Sequence, residues 1–293
     1  MNPQCLLPAG SRVAALLPLG LTQAVADHAG KAAWLLSRRG RRTVAANATA
    51  LAAGGSPQDS CETFRTYARY YLSMMRLRHR SLAESIGAYE WRHADRLHAS
   101  LGRGRGALVL SAHFGHWDLV GFAIAAAGAD VCVFVEPLVP TSLAAFYRQV
   151  RTRHGVRTVP VGDPGRAPVE TLLGNGVLGV VADRPFGARR EAVDVGNARL
   201  DIPVGGVRLA LRHGAAIHGV FAVRTAAGFE LCCTDDWASP AQALPDEATR
   251  VRFVAQQFAT ELQRLVRAHP GQWCLFAPLA PAVRAAATMG RAA

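Results

Sequence analysis

The string Ser111-Ala-His-Phe-Gly-His-Trp-Asp-Leu-Val120 constrains this chain more than any other feature. The apolar run Ala107-Leu-Val-Leu110 precedes it and suits a buried strand, while an apolar stretch from Leu119 to Ala127 follows with helical character. The order reads strand, tight loop, helix. It puts His113 at a strand end and Asp118 in the first turn of a helix, where the helix dipole favours a carboxylate. A histidine held by an aspartate can take a proton from a hydroxyl. The expected catalytic pair is therefore His113 as general base with Asp118 orienting its imidazole, and the chain reads as an enzyme.

The rest of the sequence surrounds that string with alternating elements. Helices are expected over 38–53, 57–77 and 89–101, with a break at Gly54-Gly55-Ser56-Pro57. Phe64, Tyr67, Tyr70 and Tyr71 recur at helical spacing and suit a packed face; a direct substrate role is the lesser reading. Strands are expected at 131–135, 158–161, 177–182, 216–224 and 229–234, and helices at 142–154, 167–173, 207–212 and 247–268. Strands alternating with helices predict an α/β fold with helices on both sheet faces. An apolar fraction of 50% supports a sizeable core. No repeat or long linker divides the chain, so 1–293 reads as one domain, with a flexible tail over 281–293. Val13 to Ala26 is apolar but interrupted by Pro18 and Gly20, short of the roughly 20 apolar residues of a span. Within 1–37 the favoured reading is a membrane-contacting amphipathic or half-buried helix; an ordinary packed helix is the alternative.

The formal net charge of +12 is carried almost wholly by arginine, Lys31 being the only lysine. Part of that is compositional habit. Two clusters, Arg38, Arg39, Arg41, Arg42 and Arg148, Arg151, Arg153, Arg157, suit an anionic membrane face, an acidic carrier protein or coenzyme phosphates. No zinc-finger spacing, RNP-like string or basic zipper points to nucleic acid. The six cysteines show no C-x-x-C pair and read as small core residues in a reducing compartment.

In open α/β sheets ligands collect at the carboxyl ends of strands, and Asp183-Arg184 ends one as His113 ends another. Arg151 and Arg184 are candidate anion contacts, since arginine binds phosphate bidentately. Asp183 either orients Arg184 or serves as a helper acid at the same edge. His116, Trp117 and Gly115 lie beside His113 and are candidate substrate contacts, with backbone N–H groups near Gly115 or the helix start as an oxyanion site. His113, His116 and Asp118 could also hold a metal, but no second ligand cluster stands out, and no metal is expected. No G-x-S-x-G elbow supplies a serine nucleophile.

His113-Phe-Gly-His-Trp-Asp118 resembles the H-x4-D/E motif of bacterial glycolipid acyltransferases, the lauroyl and myristoyl transferases of lipid A biosynthesis and the phosphatidylinositol mannoside acyltransferases. The resemblance covers roughly 38–276. It includes Arg41-Arg42-Thr-Val-Ala-Ala-Asn47, Phe146-Tyr-Arg-Gln-Val-Arg-Thr-Arg-His-Gly155, Gly176-Val-Leu-Gly-Val-Val-Ala-Asp-Arg184, Pro203-Val-Gly-Gly-Val-Arg-Leu-Ala210, Gly214-Ala-Ala-Ile217 and His269-Pro-Gly-Gln-Trp273. The family more often has Asn where this chain has His116, and lipid A enzymes commonly carry Glu where it has Asp118. The resemblance implies a glycerol-3-phosphate-acyltransferase-like mixed sheet flanked by helices, with N-terminal helices. It implies transfer of an acyl group from acyl-coenzyme A or acyl carrier protein to a hydroxyl or amine of a lipid or glycolipid. It requires no cofactor beyond that donor, and implies a peripheral or monotopic place on the cytoplasmic face of the bacterial inner membrane. Alternatives are an acyltransferase of a specialised lipid, such as an aryl polyene or aminolipid, and a non-catalytic membrane-associated binding protein of the same fold.

Overall fold

The central strands are apolar along their whole length because both of their faces are covered, as parallel sheets require. In the computed structural model, which describes residues 3–52, 60–162 and 165–282 with side chains from residue 9, all five residues of Ala107–Ser111 are buried. In chain order the helices are α1 Pro3–Leu16, α2 Leu19–Leu36, α3 Arg38–Ala52, α4 Ser60–Leu77, α5 Leu82–Ile86, α6 Ala94–Leu101, α7 Trp117–Ala126, α8 Thr141–Arg153, α9 Ala167–Leu173, α10 Gly205–His213, α11 Ala238–Gln242 and α12 Glu247–Ala268. The strands are β1 Tyr89–Arg92, β2 Ala107–Ser111, β3 Val131–Val135, β4 Val156–Pro160, β5 Val177–Val181, β6 Arg190–Val195, β7 Ala198–Pro203, β8 Ala216–Thr225, β9 Gly228–Cys233 and β10 Ala280–Pro281.

Seven strands form one mixed sheet in the order β1-β9-β8-β2-β5-β3-β4. Strands β8, β2, β5, β3 and β4 run parallel; β9 turns back antiparallel on β8, and β1 pairs parallel with β9. The expected mixed α/β sheet flanked by helices, with N-terminal helices, is what the chain forms. Alternation along β2 divides the core in two. Leu108 and Leu110 face α10 and α12, whereas Ala107 and Val109 face α7, α8 and α4. A three-stranded sheet, β10-β7-β6, covers part of the α12 side.

Two departures from the expected elements shape the sheets. Residues 89–101 are not one helix: Tyr89–Arg92 pair with β9, and the helix begins only at Ala94, after His93 in a left-handed conformation. The hairpin β6–β7 was not expected. Gly196-Asn197 makes its turn, and alternation along Arg190–Val195 buries Val193 and Val195. The 54–57 break and residues 283–293 of the expected tail lie outside the described residues.

At the N-terminus Pro18 divides the apolar stretch into α1 and α2, both against α4. The junction is held from below by Arg76, only 4% exposed. Its guanidinium donates to the carbonyls of Ala14, Leu17 and Glu84 and to Thr22 Oγ1. A cation set against the carbonyls at the end of α1 satisfies acceptors that a helix leaves open and opposes the helix dipole. Among the described residues no helix is long and apolar enough to cross a membrane.

Candidate active site

The register of two parallel strands builds the site. Ser111 pairs with Val181 at the carboxyl ends of β2 and β5. Two residues further along each chain, on the same face, stand His113 and Asp183. The register thus continues past the strands into a side-chain contact, His113 Nδ1 to Asp183 Oδ1 at 2.7 Å. The backbone N–H of His113 donates to Asp183 Oδ2 at 3.1 Å, and Trp273 Nε1 donates to the same oxygen at 2.8 Å. A slip of one residue would send one of these side chains to the other face.

Asp183 has no side-chain exposure, whereas His113 keeps 22%. Burial works to raise the Asp183 carboxyl, but the neighbouring His113 imidazole and the hydrogen bonds from His113 and Trp273 outweigh it and hold the acid below its ordinary value. An ionised carboxylate only accepts, so Nδ1 of His113 carries the proton. Its Nε2 then carries the lone pair: the arrangement of a general base.

Asp118 does not orient His113. Its carboxylate is turned to the other side, where Oδ1 accepts from Arg151 Nε at 2.7 Å and Oδ2 from Arg151 Nη2 at 3.2 Å and from Tyr70 at 2.6 Å. Burial opposes this charge too, and Arg151 together with Tyr70 overcomes it, leaving Asp118 below the usual carboxylate range. Arg151 is consequently engaged, with a side chain only 15% exposed, and is not free to clamp a phosphate. The pair braces the first turn of α7 against α4 and α8.

His116 is likewise structural. It is 2% exposed and is the N-cap of α7: Nδ1 accepts from the Leu119 N–H, and Nε2 donates to Ser73 Oγ at 2.7 Å. Burial drives its pKa down to about 4, outweighing the opposing pull of Asp118. Gly115 is packed against backbone. Its N–H donates to Gln272 O at 2.9 Å, and at φ +56° an added Cβ would lie 1.9 Å from Ala222 O. The expected oxyanion donor at Gly115 is therefore already occupied. Trp117 is buried, stacked on Tyr70 with ring centroids 3.6 Å apart, and meets His113 in a T-shaped contact at 5.1 Å. Arg184 stands at the rim, paired with Glu136 at 3.2 Å and 44% exposed, so Asp183 serves His113 and not Arg184. Among the described residues no group of three or more His, Cys, Asp or Glu is arranged to hold a metal.

Sequence reasoning overlooked Trp273, which steadies Asp183; Gln272, whose amide bonds both backbone groups of Arg224; and Tyr70, which grips Asp118. The signals were present in the His269–Trp273 block and in the aromatic stripe of α4. A small apolar cleft lies between α7 and strands β2, β5 and β3, lined from Ser111 and Trp117 down to Val131 and Val177.

Two outcomes follow from this geometry. Asp118→Ala leaves the buried Arg151 uncompensated and should cost about 3–5 kcal/mol in urea unfolding. His116 binds a proton more readily unfolded (ordinary value 6.5) than folded (about 4). Its contribution is therefore complete above about pH 6.5 and declines as pH falls toward 4, by roughly 3 kcal/mol in all. His116→Asn keeps a capping side chain and should flatten unfolding free energy against pH across that window.

The comparisons with known proteins identify the family. The chain matches the family described as "Bacterial lipid A biosynthesis acyltransferase" over residues 6–279. It is 30% identical over 233 residues, 74% of this chain and 69% of the relative, to proteins named phosphatidylinositol mannoside acyltransferase in two strains of Mycobacterium tuberculosis. It is 26% identical over 221 residues to the protein of the same name in Mycolicibacterium smegmatis, covering 73% of this chain and 69% of that relative. A match of that extent makes this chain a member of the bacterial lipid A biosynthesis acyltransferase family, and an acyltransferase of lipid or glycolipid biosynthesis.

Proposed function

We propose that the protein moves a fatty acyl group from an acyl thioester, on coenzyme A or acyl carrier protein, to a hydroxyl of a glycolipid, with His113 as general base and Asp183 as the residue that orients it. The observation that carries this reading is the 2.7 Å bond from His113 Nδ1 to the fully buried Asp183 carboxylate. Nε2 takes the proton from the acceptor hydroxyl as its oxygen attacks the thioester carbonyl. The C–O bond forms, the tetrahedral intermediate collapses, the C–S bond breaks, and the departing thiolate recovers the proton from the imidazolium. Asp183 stabilises that imidazolium without taking the proton, the role the acid plays in a serine-protease triad. With the Gly115 N–H occupied, the first turn of α7 is the remaining source of oxyanion stabilisation. Arg184, held only by an exposed ion pair of little worth, can swing to a phosphate of donor or acceptor. A sugar-bearing acceptor is supported by the names of the relatives, which refer to phosphatidylinositol mannosides.

The same reading places the enzyme on a membrane surface. Leu16 and Leu36 are 78% and 87% exposed, and Arg38, Arg39 and Arg42 stand exposed beside Leu36. Apolar side chains next to arginine suit an anionic lipid interface.

The enzymatic test is incubation with acyl thioesters and total bacterial lipid, the products read by mass spectrometry. His113→Ala and Asp183→Asn should each lower turnover by about 10²–10⁴. The double variant should lose little more, because the two act as a unit. Near-normal turnover by either single variant rejects the dyad. In co-sedimentation with anionic vesicles, Leu16→Asp combined with Leu36→Asp should weaken binding at least about tenfold; unchanged binding would remove this surface from the interface.

A further inference from the structure

Arginine stands on both sides of His113 at the active edge. Arg184 follows β5 on one side. On the other, β8 runs parallel to β2, so its carboxyl end lies at the same edge. There the turn at Gly115 bridges to Ala222, and Arg224 stands two residues further along β8. Alternation puts Arg224 on the face that Val220 and Ala222 share with Val109, the face of His113 and Asp183. Strand spacing and rise set its Cα about 8 Å from that of Gly115.

The backbone of Arg224 is fixed and its charge is not used. Gln272 Oε1 accepts from the Arg224 N–H at 2.7 Å, and Gln272 Nε2 donates to Arg224 O at 2.8 Å. The carbonyl of the same glutamine holds the Gly115 N–H, so one residue ties Arg224 to the catalytic loop. The guanidinium, by contrast, makes no hydrogen bond or ion pair among the described residues. It is half-buried, its carbon 5.8 Å from the centre of the Phe229 ring. The acids that act on it, Asp27 and Glu62, are bound to Arg69. Burial and the Arg69 charge both work against it and pull it below the usual arginine value. A cation drawn from water without a counterion is costly, and an aromatic ring offsets only part of that.

A narrow cavity opens beside Arg224, lined by Gln23 of α2, Thr66 of α4, Ser85 of α5 and the Gly115–His116 turn. Its room suits a water or a hydroxyl, not an acyl chain. Ser85 Oγ, buried in its wall, also has no hydrogen-bond partner among the described residues. One unpaired cation and one unsatisfied hydroxyl fit a phosphodiester whose alcohol carries further hydroxyls. The side of entry follows from α2. Its Leu21 and Val25 are 49% and 44% exposed, on the helix that ends in the lipid-facing Leu36.

We propose that Arg224 holds the phosphodiester of the lipid acceptor, and that this contact presents a hydroxyl of the same headgroup to His113 Nε2. This rests on the acyl-transfer reading above and names the residue that selects an anionic, polyol-bearing acceptor. Arg184, on the other side of His113, is left for the phosphates of the donor.

Binding and turnover test this separately. Binding is read as the rise in Tm with glycerophosphoinositol, a soluble phosphodiester headgroup, against myo-inositol, inorganic phosphate and coenzyme A. Glycerophosphoinositol should raise Tm at concentrations where myo-inositol and inorganic phosphate do not. Arg224→Gln should weaken that binding at least about tenfold and leave coenzyme A binding within about twofold. Arg224→Lys, which keeps the charge without the fork, should recover part of the loss. In transfer from acyl-coenzyme A to total bacterial lipid, Arg224→Gln should raise the apparent KM for lipid at least about tenfold. The KM for the thioester should stay within about twofold and kcat within about threefold. Because the guanidinium has no partner to lose, Tm of Arg224→Gln without ligand should be unchanged or higher; a clear fall makes the arginine structural and overturns the assignment. Undiminished glycerophosphoinositol binding by Arg224→Gln, an equal rise with inorganic phosphate alone, or a KM change that falls on the thioester overturns it too. His113→Ala should keep the headgroup binding. Normal turnover by that variant would strike the catalytic reading and leave the headgroup site to its own measurement.

Discussion

One buried carboxylate ties the active edge together. Asp183 accepts from the backbone and ring of His113 and from the indole of Trp273. Those bonds join the end of β2, the end of β5 and the segment that follows α12. A carboxylate without solvent exposure is costly unless every lone pair finds a donor, so the three donors must hold their places for the charge to persist. The same bonds fix the imidazole tautomer. Structural satisfaction of Asp183 and chemical readiness of His113 are one arrangement, and the loop from His113 to His116 is built to hold it. Cys274 N–H donates to His113 O and Gly115 N–H to Gln272 O, while Gly115 lies against Ala222 too closely for any side chain. The loop is thus stitched to the Gln272–Cys274 segment on one side and to β8 on the other.

Asp118 shows how an acid near a histidine in sequence can do something else in space. It sits in the first turn of α7, as the strand-loop-helix pattern required, and the helix dipole favours it there. Five residues of separation across a tight turn nevertheless point its side chain toward α4 and α8. There Arg151 and Tyr70 satisfy it, and Tyr147 lies under the guanidinium at 5.4 Å. A pair of this kind, buried and bidentate, is poor evidence of net stability. What it supplies is location: α7 cannot slide along the sheet without breaking it, and Trp117, which touches His113, moves with α7.

Much of this was legible in the residues. The apolar runs of β2, β3 and β5, the helix after His116 and the 22-residue α12 follow from period and composition. His113 followed from its place at a strand end, and Asp183-Arg184 from the same rule applied to β5. The partnership of His113 with Asp183 was not legible, because it spans 70 residues and depends on which strands neighbour each other and in what register. The same limit explains Tyr89–Arg92. Nothing local forbids a helix there, and the strand exists because β9 offers an edge. The β6–β7 hairpin is a different case: Gly196-Asn197 between alternating segments is a recognised turn signal, and the charges of Arg190, Glu191 and Asp194 disguised it.

The two faces of the sheet are packed to different ends. On the α12 side Phe114, Phe221, Phe258 and Trp273 fill the space to full burial, as a close-packed interior should be filled. On the α7 side the strands present valines and a glycine, and α7 answers with Gly121, where an added Cβ would touch only Val156 and Val131. Aromatic side chains gather where α7 begins: Tyr67 and Tyr70 stack on Trp117, which meets His113. The Asp118–Arg151 brace ties the first turn of α7 to α8 at the edge of this layer. The acid at the H-x4-D position thus fixes the place of α7, while the carboxylate that reaches His113 comes from the end of the neighbouring strand.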